Sequence, residues 1–139
     1  LAISKIKDLD FEYSILGSGN KEKYISIINS LEIEDKVKIL GYRNDIPEIL
    51  KKTDIFIMAS NWEGFGLAAV EAMNSGLACI YSDVEGLREL FLGNEFDGLK
   101  INPSDSDDIA EKIKKLVENY DLRQKLGKNA HDRSKAYSV

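Results

Sequence analysis

Glu63 and Glu71 stand eight positions apart, with Gly64, Phe65 and Gly66 making a glycine-bracketed turn between them. An apolar run, Asp54 to Ala59 (DIFIMA), precedes the pair, and Leu67 to Ser75 (LAAVEAMNS) follows it with good helix formers and stops at Gly76, a residue able to take the left-handed conformation that closes helices. The order predicted is strand, turn, helix, with Gly64 and Gly66 at the helix N-terminus. There the first backbone N–H groups lack intrahelical partners and the peptide dipoles favour an anion. Without Cβ atoms, the glycines let a phosphate or a sugar hydroxyl approach the backbone. A carboxylate beside that anion is repelled by it, so Glu63 and Glu71 are better suited to accept hydrogen bonds from neutral hydroxyls. One ligand with hydroxyls at both ends and an anionic middle fits these demands: a nucleoside diphosphate sugar.

The elements that must position these residues alternate. Short apolar strands are expected at Phe11 to Leu16, Val37 to Leu40, Ile55 to Ala59, Ala78 to Tyr81 and Leu99 to Ile101. Helical patterns are expected at Lys21 to Leu31 (with Tyr24, Ile25, Ile28 and Leu31 on one face), Pro47 to Lys52, Leu67 to Ser75, Leu87 to Leu92, Asp107 to Asn119 and Leu122 to Tyr137. Strands separated by helices predict an α/β fold, a Rossmann-like open parallel sheet with helices on both faces. No linker, repeat or low-complexity tract interrupts the chain, so 1–139 is read as a single domain, and a chain of 139 residues can bury a sizeable core. A formal net charge of -5 and a pI near 5.0 argue against nucleic-acid binding. No apolar run approaches the ~18 residues of a membrane span, and the first residues lack a signal-peptide pattern. The lone cysteine, Cys79, cannot form an internal disulfide and falls in an apolar strand, where a buried thiol and a cytoplasmic location are expected.

Glu63 to Glu71 resembles the E-x7-E signature of the retaining glycosyltransferases of family 4, whose architecture is the two-domain GT-B fold. The resemblance extends outward. Ser14 to Gly19 is similar to the family's strand ending in G-x-G, and Val37 to Pro47 (VKILGYRNDIP) to its V-x-F-L-G-Y-x-x-D-V-P stretch. Glu71 Ala72 Met73 and Gly76, then Ser82 Asp83, Gly86 and Glu89, then Asp97 Gly98 Leu99 follow the family order. Glu85 departs from it, standing where relatives usually carry a small residue. Nearly the whole chain is covered.

The resemblance implies roles and boundaries. Glu71 would hold the ribose 2′ and 3′ hydroxyls. Glu63 would face a hydroxyl of the donor sugar, with the Phe65, Gly66 and Leu67 amides near the sugar and phosphates and Gly64 beside them. Gly17 and Gly19 would lie near the diphosphate or the interdomain cleft, the Arg43 loop would border the base mostly through its backbone, and Glu89 would lie near the ribose and phosphates. The donor would be a nucleoside diphosphate sugar such as a UDP- or GDP-sugar, with no cofactor and no metal. Transfer would retain configuration without a protein nucleophile, the diphosphate leaving and the acceptor, a polysaccharide or glycolipid, entering on the same face. The chain would be the C-terminal, donor-binding half of the enzyme. The N-terminal acceptor domain, a first strand carrying a diphosphate-binding Arg and Lys, and the final crossover helix opening at Tyr137 Ser138 Val139 would lie outside it. Membrane contact, peripheral at the inner face, would come only through the missing domain. Two other readings stay open: a catalytically silent nucleotide-sugar-binding module, separable by whether the parent chain carries that Arg and Lys, and a nucleotide-sugar epimerase-like GT-B enzyme, whose signature lacks E-x7-E with G-F-G.

Other features have plainer accounts. Gly17 Ser18 Gly19 begins a dinucleotide fingerprint whose third glycine is replaced by Glu22, and a simple turn with Asn20 as helix cap serves as well. Asp105 Ser106 Asp107 has the form of a D-x-D metal motif, yet it opens an amphipathic helix, where capping accounts for the acids. His131 has no second histidine beside it and is expected to be a solvated surface residue. Trp62 either lines the sugar pocket or covers the adjacent core.

Overall fold

The computed structural model describes residues 1–137. The elements run α1 (Ala2–Lys5), β1 (Tyr13–Leu16), α2 (Lys21–Ser30), β2 (Val37–Gly41), α3 (Ile46–Lys51), β3 (Ile55–Met58), α4 (Leu67–Asn74), β4 (Ala78–Ser82), α5 (Glu85–Arg88), β5 (Leu99–Ile101), α6 (Ser106–Val117) and α7 (Tyr120–Ser134), and a short 3-10 turn, Lys135–Tyr137, follows. Ser138 and Val139, part of the expected start of a crossover helix, lie outside the described residues.

All strand pairs are parallel, as an alternating chain requires. They form two hydrogen-bonded sheets instead of the one expected: β1–β2, with Tyr13 opposite Val37, and β3–β4–β5, with Ile55 opposite Ala78 and Ile80 opposite Leu99. One apolar cluster nevertheless joins them, drawing Ile28, Ile33 and Val37 from the first sheet's layer together with Ala78, Ile80, Leu99, Ile101, Ile113, Leu116 and Leu126. A second cluster on the opposite face holds Ala69, Ala72 and Met73 of α4 with Cys79, Tyr81, Leu87, Leu90, Phe91 and Ala130. The alternation along β4 explains both: Ala78 and Ile80 point one way, Cys79 and Tyr81 the other, and all five β4 residues are buried. By contrast β1 and β3, each hydrogen-bonded to one neighbour, are only partly buried.

Several elements differ from expectation for visible reasons. α5 begins at Glu85 and ends at Arg88, two residues earlier and four residues shorter at its end than the Leu87 to Leu92 pattern, because both carboxylate oxygens of buried Asp97 take the Leu92 N–H at 3.0 Å and draw the chain out of the helix. On α2 only Ile28 is buried, and Tyr24 and Ile25 remain about two-fifths exposed. Helix α4 closes as predicted: Gly76, at φ +76°, gives its N–H to Met73 and Leu77 gives its own to Ala72, the paired bonds of a Schellman stop. Among the described residues, no helix is long and apolar enough to cross a membrane.

Candidate functional site

The turn between β3 and α4 carries the central residues. Gly66 is the N-cap of α4 in the left-handed region, φ +75° and ψ +47°, and no side chain caps the helix start. That conformation suits glycine, and a Cβ here would also come within 2.8 Å of Leu87 and 3.0 Å of Leu90. The first N–H groups of α4 therefore have no side-chain cap, at a turn packed against Leu87 and Leu90. Glu71 lies one turn further on, on the exposed face it shares with Leu67. Glu63 is half-buried at the start of the turn, while Gly64, Phe65 and Leu67 are exposed.

Helix α5 forms the other wall. Gly86 packs so tightly that a Cβ would fall 2.1 Å from the Gly64 carbonyl oxygen and 2.2 Å from that of Glu63. Glu89 follows as the C-cap of α5, its side chain exposed. The fold thus brings Glu63, Gly64, Gly66 and Glu89 around one turn-helix junction, with Glu71 on the adjoining helix.

The remaining expected site residues belong to the other sheet. Gly17 and Gly19 lie in the exposed loop after β1, where the Gly17 N–H meets the Gly41 carbonyl at 2.9 Å, and Asn20 caps α2 by accepting from the Lys23 N–H. Arg43 follows β2. Its guanidinium grips Asp45 with two bonds of 2.8 and 2.7 Å, which raises the arginine pKa and lowers that of the aspartate, in each case mainly through the hydrogen bonding between them. This leaves the loop's backbone for other contacts. Among the described residues no hydrogen bond, ion pair or ring contact links this group to the 63–71 group.

The acids around the strand ends divide into two sets. Asp83 bonds Arg88 at 2.5 Å and lies 3.8 Å from Lys100, and the Arg88 hydrogen bond holds its carboxyl below the usual range. Asp105 caps α6 by taking the Asp107 and Asp108 N–H groups, Asp107 pairs with Lys5, and Asp108 accepts from the Asn102 N–H and Lys112. The carboxylates of Glu63, Glu71 and Glu89, by contrast, engage no hydrogen bond or ion pair among the described residues. Among those residues no cluster of three or more metal-ligating side chains occurs. Trp62, 81% exposed, does not cover the core, which leaves it beside Glu63 at the mouth of the turn. His131 is exposed as expected, and its Nδ1 lies 2.8 Å from the Asn74 carbonyl, tying α7 to the end of α4.

Two residues at this junction escaped the sequence. Arg133, on α7, and Tyr137, in the 3-10 turn after it, reach the Glu89 and Leu90 carbonyls. Their spacing of four within the helix expected over Leu122 to Tyr137 was the available signal.

A UDP-Gal:alpha-D-GlcNAc-diphosphoundecaprenol alpha-1,3-galactosyltransferase from Escherichia coli is 36% identical over 113 residues, 79% of this chain and 29% of the relative. An N,N'-diacetylbacillosaminyl-diphospho-undecaprenol alpha-1,3-N-acetylgalactosaminyltransferase from Campylobacter jejuni is 43% identical over 94 residues, 68% of this chain and 25% of the relative. The chain thus spans well under half the length of these relatives. The crystal structure of HepE from Anabaena in complex with UDP superposes with a TM-score of 0.87 at 24% identity, covering 97% of this chain and 39% of that one, so this chain has the fold of one part of a GT-B glycosyltransferase. The pattern of the family described as Glycosyl transferases group 1 matches residues 1–133, and this chain belongs to that family.

Proposed function

We propose that this chain is the donor-binding half of a retaining family 4 glycosyltransferase that takes a nucleoside diphosphate sugar and passes its hexosyl group to a glycolipid or polysaccharide acceptor. The observation that carries the reading is the junction itself: an uncapped helix start flanked by two carboxylates without internal partners, Glu63 and Glu71. An anionic diphosphate suits the helix start, and neutral hydroxyls suit the carboxylates. The names of the two bacterial relatives, which act on diphosphoundecaprenol-linked sugars, and the UDP in HepE favour a UDP-sugar donor and a lipid-linked acceptor. That assignment puts the enzyme on the cytoplasmic side.

In this scheme Glu71 grips the ribose, Glu63 meets the sugar, and the amides from Phe65 to Leu67 meet the sugar and diphosphate, with Gly64 leaving room for them. Glu89 completes the ribose side; Gly17, Gly19 and the Arg43 loop border the nucleotide. No side chain attacks the sugar. The protein positions the donor and stabilises charge on the departing diphosphate, and no metal is required.

The strand pairing is compatible with a first strand lying outside this chain: β1–β2 and β3–β4–β5 are separate parallel sheets, the two groups that the dinucleotide-fold order 3-2-1-4-5-6 leaves when its first strand is taken out.

Calorimetry with UDP, beside donor kinetics on the full-length enzyme, separates the two glutamates. Glu71→Ala should weaken UDP binding and raise donor KM. Glu63→Ala should leave UDP affinity nearly unchanged while lowering kcat/KM, because a misplaced sugar loses transition-state positioning. Equal loss of UDP binding in both variants defeats the division of roles, and normal kinetics in both defeat the site.

A further inference from the structure

The far end of α7 and the 3-10 turn after it both reach the candidate site. The Tyr137 hydroxyl donates to the Glu89 carbonyl at 2.8 Å and accepts from an Arg133 N–H at 2.9 Å. Arg133 Nε donates to the Leu90 carbonyl at 3.2 Å, another of its N–H groups lies 3.4 Å from the Glu89 carbonyl, and its guanidinium sits 5.3 Å from the Tyr137 ring centre. The same Tyr137 ring meets Phe65 edge to face, centroids 6.2 Å apart at 77°.

Each contact answers a local weakness. Helix α5 has four residues, too few to persist on its own hydrogen bonds, and the Glu89 and Leu90 carbonyls just past its end take their donors from Arg133 and Tyr137. Phe65 is 55% exposed in a turn held at Gly66 by Leu87 and Leu90. α7 is firm by comparison: fifteen residues long, with Leu126 and Ala130 fully buried.

We propose that Tyr137 and Arg133 form a clamp that fixes the distance between the 63–66 turn and α5, and with it the shape of the donor pocket. Both are positioning residues that act through Phe65 and the Glu89 and Leu90 carbonyls; the link to donor binding rests on the function proposed above. The hydroxyl and the ring have separable tasks. The hydroxyl, with Arg133, holds α5; the ring holds Phe65.

The test measures amide hydrogen exchange in 85–92, limited chymotryptic cleavage within 61–67 and calorimetric UDP affinity in the full-length protein and its Tyr137→Phe, Tyr137→Leu and Phe65→Leu variants. Tyr137→Phe should speed exchange in 85–92 but leave cleavage within 61–67 unchanged, with a several-fold loss of UDP affinity. Tyr137→Leu should speed both exchange and cleavage and weaken UDP at least tenfold, with exchange in 78–82 and 106–117 unchanged. In a Phe65→Leu background, the effect of Tyr137→Leu on cleavage within 61–67 should disappear. Wild-type cleavage within 61–67 in Tyr137→Leu overturns the clamp, and so does faster exchange spread through 78–82, which marks general destabilisation. Wild-type UDP affinity in Tyr137→Leu overturns its bearing on the donor. If the unaltered protein fails to bind UDP, the donor reading falls, while exchange and cleavage still decide the clamp.

Discussion

Gly86 shows how narrowly one residue can set the site. Its Cα lies against the carbonyls of Glu63 and Gly64, and the 2.1 and 2.2 Å separations a Cβ would impose there are backbone contacts, which no side-chain rotation relieves. Gly86→Ala should therefore cost about 1–3 kcal/mol, the range for overpacking, and should weaken UDP binding by moving the turn. Thermal unfolding and titration check it, and an unchanged melting temperature would mean that the two walls are not in firm contact. The sequence offered Gly86 only as one landmark in a family order, and the contact stayed hidden because it joins separate loops. Glu63 and Glu71 were legible since their meaning is local: a turn, a helix start and a fixed spacing. Trp62 was not, because covering the core and lining the pocket give the same sequence.

Among the elements, α6 carries the clearest test. Asp105 accepts the Asp107 and Asp108 N–H groups at 3.0 and 3.1 Å, and Asp107 and Asp108 have cationic partners of their own. Asp105→Ala should cost about 1 kcal/mol, as the loss of an N-cap does, while turnover of the full-length enzyme persists in EDTA. Loss of turnover in chelator with rescue by Mg²⁺ or Mn²⁺ would turn these acids into ligand candidates. Capping of this kind can be read from sequence because donor and acceptor lie within a few residues. The boundary of α5 could not be read, since the carboxylate that stops it, Asp97, arrives from the far side of a loop. The α2 pattern misled differently. Its spacing gave the helix, but spacing cannot say how much of an apolar face finds a partner.

At the scale of the molecule, alternation of strand and helix was enough for parallel pairing and for helices on both faces, because each depends on the order of elements. It could not show that the strands divide into two hydrogen-bonded sheets, which depends on the pairing of strand edges far apart in the chain. A protein limited to residues 1–139 should fold yet transfer no sugar. The acceptor domain and two diphosphate-binding cations are assigned elsewhere, and losing two charge-assisted bonds of about 1.5–3 kcal/mol each weakens nucleotide affinity by roughly two or more orders of magnitude. Transferase turnover by that piece would overturn the division into halves.

The chain's one cysteine gives the buried centre a further meaning. Cys79 is fully enclosed on β4, its Sγ is 3.4 Å from the Leu77 carbonyl, and burial pushes its thiol pKa up, so the reactive thiolate is suppressed in the folded state. A thiol reagent in solution can reach it only while β4 is open. The molecule therefore carries its own stopwatch: with reagent in excess, the rate of covalent labelling counts openings of the central strand, and a bound ligand that bridges α4 and α5 slows the count.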